Sequence, residues 1–195
     1  MRIGIALFEG AEELDWVGPY EVLAYWAHSF SEDGVEVVIV GDTLEPIRSA
    51  KGLRALADVT WAGAGTLDVL VYPGGGGTRA QLDTGDPRHE RLRQLAAGGT
   101  LMTSVCTGSL VYAAAGLLRD RPATTYWASL ERLAELDSTI AVRPDARFVD
   151  SGEVVTAAGV SAGIDMALHL VRRLASPERA RQVRRGIQYD PAPPV

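Results

Sequence analysis

The sequence predicts an α/β fold, doubly wound around a mostly parallel sheet with helices on both faces. Short apolar runs rich in valine and isoleucine alternate along the chain with longer segments of helical periodicity. Strands separated by helices form parallel sheets through right-handed crossovers. The 195 residues contain no internal repeat, linker or low-complexity tract, so we expect a single domain over 1–195.

The first part of the chain alternates strand and helix. RIGIALF predicts a buried strand over 2–7. AEELDWVGPYEVLAYWAHS predicts a loop and then a helix, with Pro19 in its first turn, where a missing N–H is harmless. VEVVIVG predicts a second strand over 35–41. IRSAKGLRALADVTW predicts a hairpin that turns near Lys51 and Gly52, and DVLVYPGGGG, residues 68–77, predicts a strand that ends in four glycines.

The second part continues the alternation. PRHERLRQLAAGG predicts an amphipathic helix over 87–99 that its final glycines terminate. TLMTSV predicts a strand over 100–105, and TGSLVYAAAGLL a helix directly after it. ATTYWASLERLAEL leads into a further helix, and ARFVDSGEVVTAAG, 146–159, predicts a hairpin around Ser151 and Gly152. SAGIDMALHLVRRLAS and SPERARQVRRGIQ predict the last two helices, before a rigid tail, YDPAPPV.

Charge and cysteine content restrict the function classes. The formal net charge of −6 argues against a nucleic-acid partner or an anionic membrane, which basic surfaces bind. No uncharged apolar stretch reaches about 20 residues, so we expect no transmembrane helix. The start does not resemble a secretory signal, and a single cysteine is compatible with the cytoplasm. The histidines, His28, His89 and His169, lack the spacing of a metal site, and we expect no metal.

The only cysteine lies where a predicted strand turns into a helix. In doubly wound sheets, ligands bind at the carboxyl ends of the strands, which here carry Asp15, the PGGGG loop and Cys106. The small residues after Cys106 allow the sharp turn of a nucleophile elbow. The following helix N-terminus favours the thiolate form of the cysteine. The alternative is a buried cysteine that acts only as a small apolar side chain.

Residues near the elbow supply candidate partners for the thiol. The glycine loop lacks the spacing of a phosphate-binding motif, but its backbone can approach a reacting centre and donate an N–H to an oxyanion. The N–H of Thr107 is the second candidate donor. Asp15 is either a helix cap or a general acid/base with a pKa raised by an apolar site. Trp16, Tyr126 and Trp127 either line the pocket or pack in the core.

Several motifs resemble the ThiJ/PfpI superfamily along nearly the whole chain. They are EELDWVGPYEVL, DVLVYPGGGG, TSVCTGSLVYAAAGLL, RPATTYW, AAGVSAGIDMAL and QYDPAPP. The resemblance implies a flavodoxin-like fold, a homodimer, a small-molecule substrate and no organic cofactor. Within the superfamily the motifs are most similar to those of isonitrile hydratases, which implies addition of water to an isonitrile to give an N-substituted formamide.

The same resemblance implies roles for individual residues. Cys106 matches the nucleophile, Asp15 the acid/base that contacts it, and Thr107 a threonine that contacts the site. Gly75 and the backbone of Thr107 match the oxyanion positions. The expected substrate pocket comprises Trp16, Gly74, Tyr126, Trp127, Gly159 and Val160.

One position departs from the relatives, which often have T-T-H-W where this chain has tyrosine at Tyr126. The missing imidazole argues against amidase, protease and glyoxalase activities. Three alternatives stay open: a glyoxalase-like or other small-carbonyl enzyme on the same cysteine, a non-enzymatic protein that senses oxidation through Cys106, and a binding protein without chemistry.

Overall fold

A central sheet of seven strands organises the computed structural model, which describes residues 1–191. The strands of the described chain, in order, are β1 (Arg2–Leu7), β2 (Glu36–Gly41), β3 (Ile47–Arg48), β4 (Arg54–Ala55), β5 (Val59–Thr60), β6 (Val69–Tyr72), β7 (Leu101–Val105), β8 (Pro122–Ala123), β9 (Ala141–Val142), β10 (Phe148–Asp150) and β11 (Val154–Ala157). The central sheet has the order β10-β11-β7-β6-β1-β2-β5. All its neighbouring strands are parallel except β10 and β11, which confirms the predicted mostly parallel sheet.

Helices cover both faces of the sheet, as predicted. They are α1 (Glu13–Ser29), α2 (Pro87–Ala97), α3 (Gly108–Ala114), α4 (Leu130–Leu136), α5 (Ala162–Leu174) and α6 (Pro177–Gly186). Helices α1, α5 and α6 pack on one another, whereas α3 packs against α2 and α4. Strands β6 and β7 are buried along their whole length, because both of their faces are covered by helices.

The hairpin predicted near Lys51 and Gly52 is formed by β3 and β4, and the one around Ser151 and Gly152 by β10 and β11. The helix predicted after Cys106 is shorter than expected, since α3 ends at Ala114. Sequence analysis missed β5, β8 and β9, which are two residues long and have no alternation to detect. The tail prediction falls largely on residues 192–195, outside the described residues.

Pro19 lies inside α1, not in its first turn, which corrects the prediction. The helix begins at Glu13, so Pro19 removes the N–H that would bond to the carbonyl of Asp15 four residues earlier. The proline ring packs closely on α5, where a Cβ built on Gly163 would lie 3.1 Å from Pro19 Cγ. Interhelical packing therefore compensates for a lost helical hydrogen bond.

In the described part of the chain, no helix combines the length and the apolar character that crossing a membrane requires.

Candidate active site

The elbow at Cys106 has a strained backbone that several hydrogen bonds hold. Cys106 follows β7 and has a φ of +57°, a left-handed conformation that is uncommon for a residue with a side chain. Its N–H lies 3.1 Å from the carbonyl oxygens of both Ala157 and Ala158. Its carbonyl accepts hydrogen bonds from Ser109 Oγ at 3.0 Å and from Thr125 Oγ1 at 2.9 Å. Four polar contacts therefore fix the direction of a side chain that is only 6% exposed.

The glycine loop approaches the elbow so closely that side chains are excluded. A Cβ on Gly74 would lie 2.5 Å from the N of Thr107 and 2.9 Å from Cys106 Cβ. A Cβ on Gly108 would lie 2.4 Å from the carbonyl oxygen of Tyr72. Glycine at these two positions thus lets the end of β6 and the start of α3 meet at the thiol.

Asp15 reaches the same point from the first turn of α1 and is fully buried. Its Oδ2 accepts a hydrogen bond from the N–H of Gly74 at 2.9 Å. Its Oδ1 is buried and makes no well-formed hydrogen bond within the described residues. The Cys106 thiol is near enough to act on this carboxyl as a donor, although the contact lacks full hydrogen-bond geometry. A buried acceptor without a good partner is therefore free to receive the thiol proton.

Burial raises the pKa of both groups. Removal from water raises the pKa of Asp15 to about 7, opposed by the N–H of Gly74 and increased by the Glu12 carboxylate. Burial, followed by the charge of Asp15, raises the pKa of the Cys106 thiol to about 12. The raised pKa of Asp15 has the direction that the sequence predicts. The predicted preference for thiolate is wrong, because desolvation outweighs the helix N-terminus behind the sulfur.

Two backbone N–H groups act on the thiol. Donors at Thr107 and Val160 lower the pKa of Cys106, against the effect of burial. Val160 has a φ of +51°, which is rare for a β-branched side chain and marks a strained position beside the site. The N–H of Gly75 instead donates to Thr107 Oγ1 at 3.0 Å. The arrangement thus places Thr107 and Val160, not Gly75, as donors at the reacting sulfur.

The aromatic residues of the predicted pocket lie in three different environments. Trp16 is buried in the core and donates from Nε1 to Ser49 Oγ at 3.2 Å, so it does not line an open pocket. Trp127 is 73% exposed and lies beside Tyr126, with ring centroids 5.5 Å apart. Tyr126 is half-buried against Gly159, where a Cβ would lie 2.4 Å from Tyr126 Cδ2. Tyr126 and Gly159 are thus adjacent, and Gly159 precedes the Val160 donor.

The sequence profile of the DJ-1/PfpI family matches residues 1–173. The chain belongs to the DJ-1/PfpI family. It is 38% identical to a protein named isonitrile hydratase from Pseudomonas putida, over 100% of this chain and 81% of that protein. It is 26% identical to glutathione-independent glyoxalase DJR-1.2 of Caenorhabditis elegans, over 90% of this chain and 89% of that one.

The solved structures give the same family assignment. A ThiJ/PfpI family protein from Pseudomonas syringae superposes with a TM-score of 0.86 at 31% identity, covering 100% of this chain and 77% of that chain. The relatives support enzymatic activity in this DJ-1/PfpI protein, and they include both a hydratase and a glyoxalase by name.

Two histidines form their hydrogen bonds away from the Cys106 elbow. Nε2 of the buried His89 lies 2.7 Å from the carbonyl oxygen of Gln81, and Nε2 of His169 lies 2.7 Å from Asp150 Oδ2. Within residues 1–191 no group of three or more histidine, cysteine and acidic side chains is arranged to hold a metal ion. The titratable partner that the structure brings to Cys106 is Asp15.

Sequence reasoning did not assign roles to the hydroxyl side chains around the elbow. Thr125 and Ser109 lie inside the motifs ATTYW and CTGSL, and both donate to the Cys106 carbonyl. Thr78 directly follows the glycine loop and contacts Thr107. Gly74, expected to line the pocket, contributes its N–H to Asp15 instead. The sequence shows that Thr125, Ser109 and Thr78 lie in or beside the motifs. Which groups their hydroxyls bond to depends on tertiary structure.

Proposed function

We propose that this protein adds water to an isonitrile and releases an N-substituted formamide, with Cys106 as nucleophile and Asp15 as general acid/base. The observation that carries the proposal is the buried pair of a thiol and a carboxyl with separated pKa values. Near neutral pH the sulfur keeps its proton, while the carboxyl is close to half-ionised. The pair can therefore deliver one sulfur and one proton to the same substrate atom.

The first step forms a thioimidate on the enzyme. Ionised Asp15 accepts the proton of the Cys106 thiol through Oδ1, and the sulfur attacks the terminal carbon of the isonitrile. Asp15 returns that proton to the same carbon. A carbon–sulfur bond and a carbon–hydrogen bond form, and the carbon–nitrogen triple bond becomes a double bond. The product is R–N=CH–S–Cys106, with all atoms of the thiol and the isonitrile retained.

The second step consumes one water molecule. Asp15, ionised again, accepts a proton from water while the oxygen attacks the thioimidate carbon, and Asp15 passes that proton to the nitrogen. The tetrahedral intermediate R–NH–CH(OH)–S–Cys106 then expels the sulfur, and the proton of its hydroxyl, which came from water, passes through Asp15 to the sulfur. The formamide R–NH–CHO leaves, and the thiol and the carboxyl return to their starting states.

Backbone donors lower the cost of making charge on sulfur in this dry site. The N–H groups of Thr107 and Val160 favour the ionised form of Cys106. A preorganised donor of this kind contributes roughly 3 kcal/mol to a transition state where charge develops. The strained backbone at both Cys106 and Val160 supports this assignment, because such strain is concentrated at functional sites.

The oxidation-sensing alternative depends on a thiol of low pKa. Burial and the Asp15 charge raise the pKa of Cys106 to about 12, which weighs against it. The glyoxalase alternative is favoured by the named relative in C. elegans. It requires an assay rather than a geometric argument, because both chemistries use a cysteine and an acid.

The test is formamide formation from a panel of alkyl and aryl isonitriles, with methylglyoxal consumption measured in parallel. We expect turnover by the wild type, none by Cys106→Ala, and a severe loss in Asp15→Asn. Asp42→Asn is the matched control, because Asp42 follows β2 at the same edge of the sheet but pairs with Arg88 and Arg91. Protein with a reduced Cys106 that consumes methylglyoxal and no isonitrile would refute the hydratase proposal.

We further propose that the protein acts as a cytoplasmic homodimer. Exposed leucines on adjoining segments support a partner surface: Leu14 lies in the first turn of α1, and Leu53 in the β3–β4 turn. Glu13 ties these segments together by accepting from the N–H groups of Lys51 and Leu53. Light scattering after gel filtration tests the dimer, and a monomeric mass at micromolar concentration would refute it.

A further inference from the structure

The buried Thr78 contacts Thr107, the residue that follows the nucleophile. Thr78 is 2% exposed and lies in the 3₁₀ segment Gly76–Leu82, directly after the glycine loop. Its Oγ1 is 3.0 Å from Thr107 Oγ1 and 2.8 Å from the carbonyl oxygen of Gly75. The Thr107 hydroxyl thus has the Thr78 hydroxyl as a hydrogen-bond partner.

The hydroxyl protons of Thr78 and Thr107 can be arranged in two ways. Thr107 Oγ1 accepts the N–H of Gly75 at 3.0 Å, so its own proton must go elsewhere. The carbonyl oxygen of Gly75 is a poor acceptor for it at 3.5 Å. Either Thr78 donates to Gly75 and accepts from Thr107, or Thr78 donates to Thr107 and the Thr107 proton is released toward the site.

Changing from the first arrangement to the second leaves no buried group without a partner. The Gly75 carbonyl oxygen also accepts the N–H of Thr78 at 3.1 Å, and that bond does not depend on the hydroxyl. Thr107 Oγ1 gains the bond that the carbonyl loses. The rearrangement consists of two hydroxyl rotations, and it avoids the penalty of an unsatisfied buried polar atom.

The Thr107 hydroxyl and the Cys106 side chain both lie against Gly74. A Cβ built on Gly74 would lie 2.6 Å from Thr107 Oγ1 and 2.9 Å from Cys106 Cβ. Once it no longer donates to Thr78, the Thr107 O–H is therefore free to donate next to Cys106, whose sulfur forms and breaks the bond to carbon in the proposed reaction.

We propose that Thr78 is a positioning residue that switches the Thr107 O–H between the glycine loop and the reacting atoms. This inference rests on the proposed function. In the resting protein Thr107 donates to Thr78, and Thr78 donates to Gly75. When the thioimidate nitrogen or the oxygen of the tetrahedral intermediate arrives, Thr78 donates to Thr107, and Thr107 donates to that atom. No covalent bond changes in this switch.

The kinetic test uses Thr78→Val, which keeps the shape of threonine, and Thr78→Ser, which keeps the hydroxyl. We expect Thr78→Val to lower kcat for isonitrile hydration about tenfold with little change in KM, and Thr78→Ser to restore most of it. In a Thr107→Val background, Thr78→Val should have no further effect, because its partner is gone. Additive losses in the double variant, or wild-type kcat in Thr78→Val, would overturn the switch.

A neutron structure of the resting wild type tests the inference without turnover. We expect the Thr107 deuteron on the line to Thr78 Oγ1 and the Thr78 deuteron on the line to the Gly75 oxygen. A Thr107 deuteron that points into the site at rest would overturn the switch. Absence of any isonitrile turnover by the reduced wild type would refute the proposed function instead, and thermal unfolding of each variant identifies loss of folding.

Discussion

Asp15→Asn should stabilise the folded protein at alkaline pH while it removes the acid/base group. The carboxyl is fully buried, and burial raises its pKa to about 7 from an unperturbed 3.8. The folded state therefore binds this proton more tightly than the unfolded state. The stability that protonated Asp15 contributes is fully present below pH 3.8 and is lost as the pH rises through about 7. Asparagine keeps an oxygen for the N–H of Gly74 and cannot ionise.

The size of the effect follows from the pKa difference. A separation of about three pH units at about 1.4 kcal/mol each means that ionised Asp15 costs the fold roughly 4 kcal/mol above pH 7. Part of that cost is already present at pH 5, because the unfolded carboxyl is ionised there. The stability of Asp15→Asn relative to the wild type should therefore increase by roughly 2–3 kcal/mol between pH 5 and pH 8.

Urea unfolding of reduced protein at these two pH values measures the difference. Asp33→Asn is the control, because hydrogen bonds from Arg179 and Trp26 lower the pKa of Asp33. That carboxylate is ionised in both states across this range, so the stability change of Asp33→Asn should be the same at both pH values. An Asp15→Asn effect equally independent of pH would refute the reasoning that a desolvated carboxylate lies at the site.

Three further predictions concern the same site. For isonitrile hydration, kcat/KM should rise with pH to a plateau above about pH 7, because Asp15 must be ionised to accept the thiol proton; a profile flat from pH 5 to 8 would contradict this. Gly159→Ala should lower turnover, because the new Cβ would lie 2.4 Å from Tyr126 Cδ2. Adding Tyr126→Ala should restore activity, and a double variant that stays inactive would contradict the clash. Thr125→Val should lower the free energy of unfolding by about 1 kcal/mol in urea titrations, and Thr125→Ser should not, since only the serine keeps a donor for the Cys106 carbonyl; equal losses would assign the effect to packing.

The main elements of the fold were predictable because each has a strong local signal. Strand β1 is a short apolar run with two isoleucines, and α2 begins at a proline and is followed by two glycines. The two-residue strands have no such signal. Pro19 shows the other limit: a local rule places proline in the first turn, whereas contact with Gly163 of α5 makes it tolerable deeper in the helix.

The sequence predicts which residues meet at the site but not which of their groups bond to one another. The rule that ligand sites lie at the carboxyl ends of strands is enough to bring Asp15, the glycine loop and Cys106 together. It says nothing about which N–H faces which acceptor. The family resemblance assigned Gly75 to the oxyanion, whereas the structure directs its N–H to Thr107. The predicted thiolate was wrong for a related reason, since burial depends on the whole fold.

The physical state of the pair also restricts the chemistry that the site suits. The Asp15 carboxylate raises the pKa of Cys106, whereas the Cys106 thiol lowers the pKa of Asp15, so the site holds one readily transferable proton and not two. A hydrolase that protonates a leaving group while it makes a thiolate requires a second acid, and the contacts of His89 and His169 lie elsewhere. Hydration of an isonitrile requires sulfur and a proton to reach one carbon. That proton stays on the carbon of the formamide, and water supplies the proton that returns to the sulfur. One transferable proton at a time is sufficient for that cycle, which is why the pKa values of this pair suit the proposed hydration.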